Sequence, residues 1–376
     1  MKVFFILDNA FPSNNPSAKR VKCYCKGLNY NNIDTEILTI SHKGNPSESE
    51  DLAYKMIGKG HDDTLLSKIC VFFQNIIALK KYLKIASCEE DIIYLYSDGL
   101  IVGLLPILLG LKRKYVREMC EIPYYSYKLI ARINRWIYLH LFFKQYDGVV
   151  AISTSLEQIA NKYKNKKCKV IKIPILVDFS KYQTVTQCDN SSNIIFHSGS
   201  HTEAKDGFYG MIESIGLLKE KYNDIVHLYC TGKEPNSESY LSIIKRFGLD
   251  NQIHYLGYIS EKELLQWQET SFCFIINKYD SFQNKYCFAT KLGEYLASER
   301  AVITTSIGEV IYYLKDGENA IIVEPGKPEL IADSIHNLLI DNKNRQMLAH
   351  KGRILANEKF DCNKNGTILK DYLLKL

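Results

Sequence analysis

Short apolar runs rich in β-branched and aromatic residues alternate along the chain with longer stretches whose apolar positions recur at helical spacing. In the first half, residues 3–7, 35–40, 92–96, 115–118, 148–152 and 169–173 read as buried strands. Helical patterns fall between them, notably at 18–28, 65–85 and 130–143. The second half repeats the logic, with strands at 194–197, 225–230, 253–255, 272–276, 301–305 and 320–323. Helices are predicted there at 207–221, 237–247, 261–268, 291–297 and 329–339. Crossovers of this length imply parallel sheets. The pattern predicts α/β architecture, with two Rossmann-like doubly wound domains facing across a cleft. Residues 178–193, rich in Ser, Thr, Gln and Asn, read as the linker, so the domains are expected at 1–180 and 190–360.

Length agrees, since 376 residues exceed the size at which single cores stop growing. Hydrophobic content of 46% with 24% charge is globular. Eleven cysteines without CxxC pairs suit a reducing cytosol rather than a disulfide framework or a structural zinc. The run of apolar residues before Asp8 is too short for a signal peptide. The longest apolar stretch, 100–111, is broken by Pro106 and falls short of the ~20 residues that cross a bilayer. The expected location is therefore the cytoplasm. A net charge of +6 is spread too thinly to suggest nucleic acid as a partner. One local feature stands out: residues 128–144, KLIARINRWIYLHLFFK, mix Arg132, Arg135 and Lys144 with Trp136 and a set of aliphatics. Such a segment is either a core helix with a solvated basic edge or a peripheral contact with an anionic membrane surface.

The richest stretch for chemistry is 281–305, SFQNKYCFATKLGEYLASERAVITT. An irregular loop ends at Thr290 and Lys291, a short helix carries Glu294, and a β-branched strand follows. That places a loop, a helix start and a carboxylate at the edge of a parallel sheet, where α/β proteins bind ligands. Backbone amides there suit phosphates, and Glu294 can accept hydrogen bonds from sugar hydroxyls.

This stretch resembles the signature of the retaining, nucleotide-sugar-dependent glycosyltransferases of family 4 (group 1), which have the GT-B fold. That signature sets two glutamates eight positions apart around a phenylalanine–glycine pair. Here the frame falls on Tyr286, Phe288, Ala289 and Glu294, so that the second glutamate and the phenylalanine match. The resemblance implies that Glu294 accepts hydrogen bonds from the donor ribose. It also implies that Thr290, Lys291 and the backbone of Phe288 and Ala289 line the phosphate or sugar pocket. Tyr286 offers one phenolic oxygen where a carboxylate offers two acceptors, so the donor sugar is expected to be held differently.

A second piece is FHSGSHTEAKDG at 196–207. Gly199 ends a strand and lets the backbone approach a ligand. Ser200 stands where the family often has arginine, and Lys205 matches the lysine implied to bind the donor diphosphate, with Gly207 displaced by Asp206. In the first domain PSNNPSAKR at 12–20 resembles a loop near donor phosphates or acceptor, though it lacks the usual glycine; Lys19 and Arg20 there can meet an anion. VREMCEIP at 116–123 resembles an acceptor-facing strand end, with Cys120 near the histidine position and Glu118 and Glu121 either lining the cleft or capping a turn. PILVD at 174–178 resembles a turn before the linker, with Asp178 structural. The family's last helix returns to the first domain, which here falls on 363–376.

No HExxH, GxSxG or P-loop sequence appears. The resemblance implies hexosyl transfer from a nucleotide-diphosphate sugar to a hydroxyl of a glycan or lipid-linked acceptor, with retention and with no metal or other cofactor. Bacterial surface polysaccharide synthesis is the implied setting. Lys205 and Glu294 carry the catalytic expectation, Lys205 by stabilising leaving-group charge. Other readings are a GT-B epimerase or phosphorylase, or a GT-B module that binds a nucleotide sugar or a partner without catalysis.

Overall fold

Two parallel sheets organise the chain. The computed structural model describes residues 1–13, 15–40, 52–60, 64–96, 102–122, 126, 128–183, 192–199 and 201–376. They divide into two compact units, Met1–Leu176 with Cys362–Leu376, and Val177–Asp361.

In the first unit the strands are β1 (Lys2–Leu7), β2 (Asp34–Thr39), β3 (Tyr54–Met56), β4 (Ile92–Tyr96), β5 (Lys114–Met119), β6 (Gly148–Ala151) and β7 (Lys169–Lys172). They lie in the order β3-β2-β1-β4-β5-β6-β7, every pair parallel. The intervening helices are α1 (Pro16–Tyr30), α2 (Leu65–Ala86), α3 (Leu105–Leu109), α4 (Leu129–Ile137) and α5 (Thr154–Tyr163). Side chains alternate across the sheet as the pleat requires. Val3, Phe5 and Leu7 pack in one core with Ala18, Val21 and Leu28 of α1. Phe4 and Ile6 pack in the other, with Ile76, Leu79 and Leu83 of α2 and Leu105 and Leu109 of α3. Helix α1 begins where Asn15 caps the amide of Ala18 at 2.8 Å and Pro16 takes the first turn, which has no use for its missing N–H.

In the second unit β8 (Ile194–His197), β9 (His227–Cys230), β10 (Ile253–Tyr255), β11 (Cys273–Ile276), β12 (Ala301–Thr305) and β13 (Ile321–Val323) run parallel in the order β10-β9-β8-β11-β12-β13. Around them lie α6 (Glu203–Asp206), α7 (Phe208–Tyr222), α8 (Glu238–Phe247), α9 (Glu261–Thr270), α10 (Lys291–Ala297), α11 (Pro328–Ile340) and α12 (Asn342–Phe360). The last helix, α13 (Cys362–Leu373), rejoins the first unit against α1. Two glycines permit that approach: a Cβ on Gly366 would lie 2.4 Å from the carbonyl carbon of Gly27, and one on Gly27 would lie 2.1 Å from the carbonyl oxygen of Cys362.

Several elements differ from the sequence pattern. Strand β3, the short helices α3 and α6, helix α5 and the long α12 are additional. The helix expected at 130–143 ends at Ile137, and a π-helical turn follows over Tyr138–Phe142. Tyr138, Leu139 and Phe143 enter the core, whereas α4 itself buries no residue. The core-helix reading of 128–144 thus holds only for its second part. Asp178 accepts from the backbone and side chain of Ser180 at 3.0 and 2.7 Å, a capping role. Ten cysteines among the described residues are free thiols.

Strand order reverses between β1 and β4 in one sheet and between β8 and β11 in the other. At such switch points the loops beyond the carboxyl ends diverge and leave a crevice for a ligand.

Candidate functional site

The switch point of the second sheet gathers the charged groups of this unit's loops. Strand β8 ends at His197, and Gly199 follows with φ of +142°, a region open to glycine. The absence of a side chain matters here, because a Cβ on Gly199 would lie 2.9 Å from Nζ of Lys291. Lys291 opens α10, which is fixed to the same loop by Tyr295: its hydroxyl accepts from the Ser198 amide at 3.0 Å, and its ring stacks on Phe274 of β11 at 3.9 Å. Leu292, Tyr295 and Leu296 are buried, so α10 is anchored on one face while Lys291 and Glu294 remain half-buried one turn apart.

Lys291 Nζ lies 3.3 Å from Oδ1 of Asp206, at the end of α6. Burial holds its amine below the usual lysine range; Asp206 pulls in the opposite direction and Lys278 adds to the lowering. Lys278 follows β11 and is itself buried. Its main chain is locked to Thr305 at the end of β12, the amide donating to Oγ1 at 3.0 Å and the carbonyl accepting from the same hydroxyl at 2.8 Å. Its amine donates to the carbonyl of Lys205 at 2.9 Å. Lys291 thus meets one carboxylate and feels a second, buried amine, beside an open stretch of backbone.

The surrounding loops are braced at short range. Asn277 donates to the carbonyl of Gly207 at 2.8 Å, and Tyr279 donates to Glu203 at 2.6 Å. The other oxygen of Glu203 accepts from the Tyr209 amide at 2.6 Å, which fixes the start of α7. Gly308, with φ of +73°, lets the loop after β12 press on the loop after β11, since its Cβ would lie 2.7 Å from the carbonyl oxygen of Asn284. His201 borders the site; its Nδ1 bonds the carbonyl of Lys233 at 2.8 Å, its ring stacks on Phe208, and burial holds its pKa below the ordinary value. Because a carbonyl only accepts, Nδ1 carries the proton.

Of the residues singled out from sequence, Gly199 and Lys291 come together here, with Glu294 on the same helix. Lys205 is exposed on α6 and meets the cluster through its carbonyl. Thr290 is exposed, and Tyr286 is half-buried with its ring edge-on to Phe282. The Phe288 side chain turns into the core against Tyr313 and Phe360. Ala289 is buried. Ser200 lies outside the described residues. Asp206 and Lys278 were not anticipated in these roles. The one signal for Lys278 was its place just past an apolar strand pattern.

The first unit gives a different picture. Arg20 is buried on α1, and its guanidinium donates to Glu118 at 2.9 Å, Tyr24 at 2.6 Å, and the carbonyls of Ile173 at 2.8 Å and Pro174 at 2.5 Å. Burial works against its charge, but Glu118, with smaller contributions from Tyr24, Cys120 and Tyr96, outweighs it, and its pKa is raised. Glu118 also accepts from the Tyr94 hydroxyl. The pair ties α1 to β5 and to the segment after β7 rather than offering a cation to an anion or a carboxylate to an acceptor. Cys120 is half-buried, its sulfur 3.1 Å from the Tyr96 hydroxyl, and Glu121 is half-buried beside it.

Residues 192–341 match the family model of glycosyl transferases group 1. The match lies within the second unit, and the chain is a transferase. No curated protein matches the sequence. Solved structures agree with the fold over the full length of the chain. HepE of Anabaena in complex with UDP and glucose superposes with TM-score 0.76 at 16% identity, over 100% of both chains. A TarM variant of S. aureus in complex with Fondaparinux, α-GlcNAc-glycerol and UDP gives 0.76 at 12%, over 99% of each. Sucrose-phosphate synthase of Thermosynechococcus elongatus gives 0.74 at 13%, over 100% of each. The fold is GT-B.

Proposed function

We propose that the chain transfers a hexose from a nucleotide-diphosphate sugar to a hydroxyl of a glycan or lipid-linked acceptor, with retention at the anomeric carbon and without a metal, in the synthesis of bacterial surface polysaccharide. The observation that carries this reading is Lys291, paired with Asp206 and joined in positive charge by buried Lys278 at the switch point, against backbone that Gly199 leaves open. A buried excess of positive charge is costly alone and favourable once a diphosphate supplies the counter-charge. The UDP in the HepE and TarM structures supports testing uridine first.

In this reading the bond from the anomeric carbon to the donor phosphate oxygen breaks while the acceptor oxygen bonds to that carbon. The acceptor proton passes to the departing phosphate. Lys291, with Lys205 reaching in from α6, stabilises the charge that builds on the leaving diphosphate. Glu294 holds the ribose hydroxyls. Gly199, Ser200, Tyr286, Phe288, Ala289 and Thr290 complete the donor pocket. The protein works in the cytoplasm, with residues 128–144 resting on the inner face of the membrane. Incubating the protein with UDP-sugars and extracted lipid-linked glycans tests the reading. Acceptor-dependent release of nucleoside diphosphate supports it, whereas donor conversion with no acceptor present favours an epimerase.

A further inference from the structure

On one face of the first unit's sheet, helices α2, α3 and α4 hold no aspartate or glutamate of their own, α2 and α4 carry lysine or arginine, and all three leave apolar side chains exposed. Helix α2 buries Ile76, Leu79 and Leu83 against the sheet. On another side Leu66, Ile69, Phe73 and Ile77 recur at helical spacing and stand 46% to 73% exposed. Lys80, Lys81 and Lys84 continue the same line. Helix α4 shows a second stripe, with Ile130, Ile133 and Trp136 exposed and Arg132 on its flank.

The two helices belong to one layer. Lys80 of α2 donates to the carbonyl of Leu108 in α3 at 3.5 Å. Just before α3, a Cβ on Gly103 would lie 3.4 Å from both Tyr138 and Phe142, in the turn that continues α4. No Asp or Glu occurs between Thr64 and Cys88, between Val102 and Arg117, or between Ile122 and Tyr146. Over the same stretches lysine and arginine recur, four lysines in α2 alone.

We infer that the first unit docks on an anionic membrane surface through two helices, with the Leu66–Ile69–Phe73–Ile77 stripe of α2 as an anchor beside α4. The inference rests on the membrane contact in the function proposed above and adds a second line of attachment to it. Apolar stripes flanked by cations suit a bilayer surface, where the stripes enter the acyl boundary and the cations meet lipid phosphates. A second copy of the chain is a poor occupant. Pairing these helices with themselves would bring lysines and arginines together with no carboxylate on the helices to offset them.

The test is sedimentation with phosphatidylcholine vesicles, with and without phosphatidylglycerol. It compares wild type with Phe73→Ser/Ile77→Ser on α2, Ile133→Ser/Trp136→Ser on α4, and Lys81→Glu/Lys84→Glu on α2. Melting temperature, sedimentation velocity and UDP affinity are measured in parallel. Wild type should bind only the anionic vesicles, and each variant pair should bind at least about tenfold more weakly, with melting temperature and UDP affinity unchanged. If both α2 pairs bind like wild type while the α4 pair is weakened, the α2 anchor is wrong and the contact through 128–144 stands. No vesicle binding by wild type overturns both contacts, and retained UDP binding would leave the transfer reading intact. A concentration-dependent dimer broken by the α2 serine pair would assign the stripe to a second copy instead.

Discussion

Lys291 and Asp206 meet at 3.3 Å across the switch point of the second sheet, and the carboxylate opposes what burial does to the amine. The pair has a consequence for pH. Burial lowers the Lys291 pKa, and Asp206 raises it. A diphosphate needs the amine charged. Donor binding should therefore be complete where Lys291 is protonated and fall as pH rises through the lowered pKa, earlier than for an ordinary lysine near ~10.4. Asp206→Asn removes the group that lifts the pKa, so the fall should move to lower pH. Titrating nucleoside diphosphate affinity against pH in both proteins checks this. Superimposable profiles would remove Lys291 from the phosphate site.

Arg20 and Glu118 form a buried pair with four donated hydrogen bonds on the arginine side. Arg20→Ala leaves Glu118 buried without its cation and should cost about 3–5 kcal/mol of stability in the first unit. Replacing both residues with Met and Leu should recover part of that loss, because no uncompensated charge remains. Scanning calorimetry reads both. An unchanged transition in Arg20→Ala, with weaker acceptor use, would return Arg20 to the acceptor site.

At the crossing of α1 and α13, Gly366→Ala places a methyl 2.4 Å from the backbone of Gly27. Forcing the helices apart should cost about 1–3 kcal/mol. The calorimetric transition of the first unit should fall, with little change in nucleotide affinity. Gly308→Ala should do the reverse in part. It sets a methyl 2.7 Å from the Asn284 carbonyl at a φ of +73°, which shifts the loops beside Lys278 and should weaken nucleotide binding.

The sheets were legible because buried parallel strands write continuous apolar runs. Strands β8, β10 and β12 and helix α10 fall where the pattern places them. Helix α12 was not legible for a physical reason. Besides Leu348 and Phe360, its buried positions are Arg345, Ala349, Gly352 and Ala356, small or charged rather than large and apolar, and a Cβ on Gly352 would lie 2.8 Å from Leu296. Close packing selected size over hydrophobicity there. Strand β3 is a three-residue edge strand, too short to show a period. At the candidate site, sequence spacing brought Gly199 and Lys291 into view through separate motifs. Their contact, and the roles of Asp206 and Lys278, depend on which strands lie side by side. In the same way Arg20, a basic residue in a polar loop by sequence, proves to be turned inward, because one turn of α1 decides whether a side chain meets solvent or Glu118.

The most direct test of the donor site is calorimetric titration of UDP, GDP, ADP and TDP into wild type, Lys291→Ala, Lys205→Ala and Glu294→Ala. One nucleotide should bind wild type, and Lys291→Ala should weaken it about ten- to a hundredfold, the worth of a charge-assisted hydrogen bond. Binding by Lys291→Ala as tight as wild type, or no binding of any nucleotide to wild type, would contradict the account.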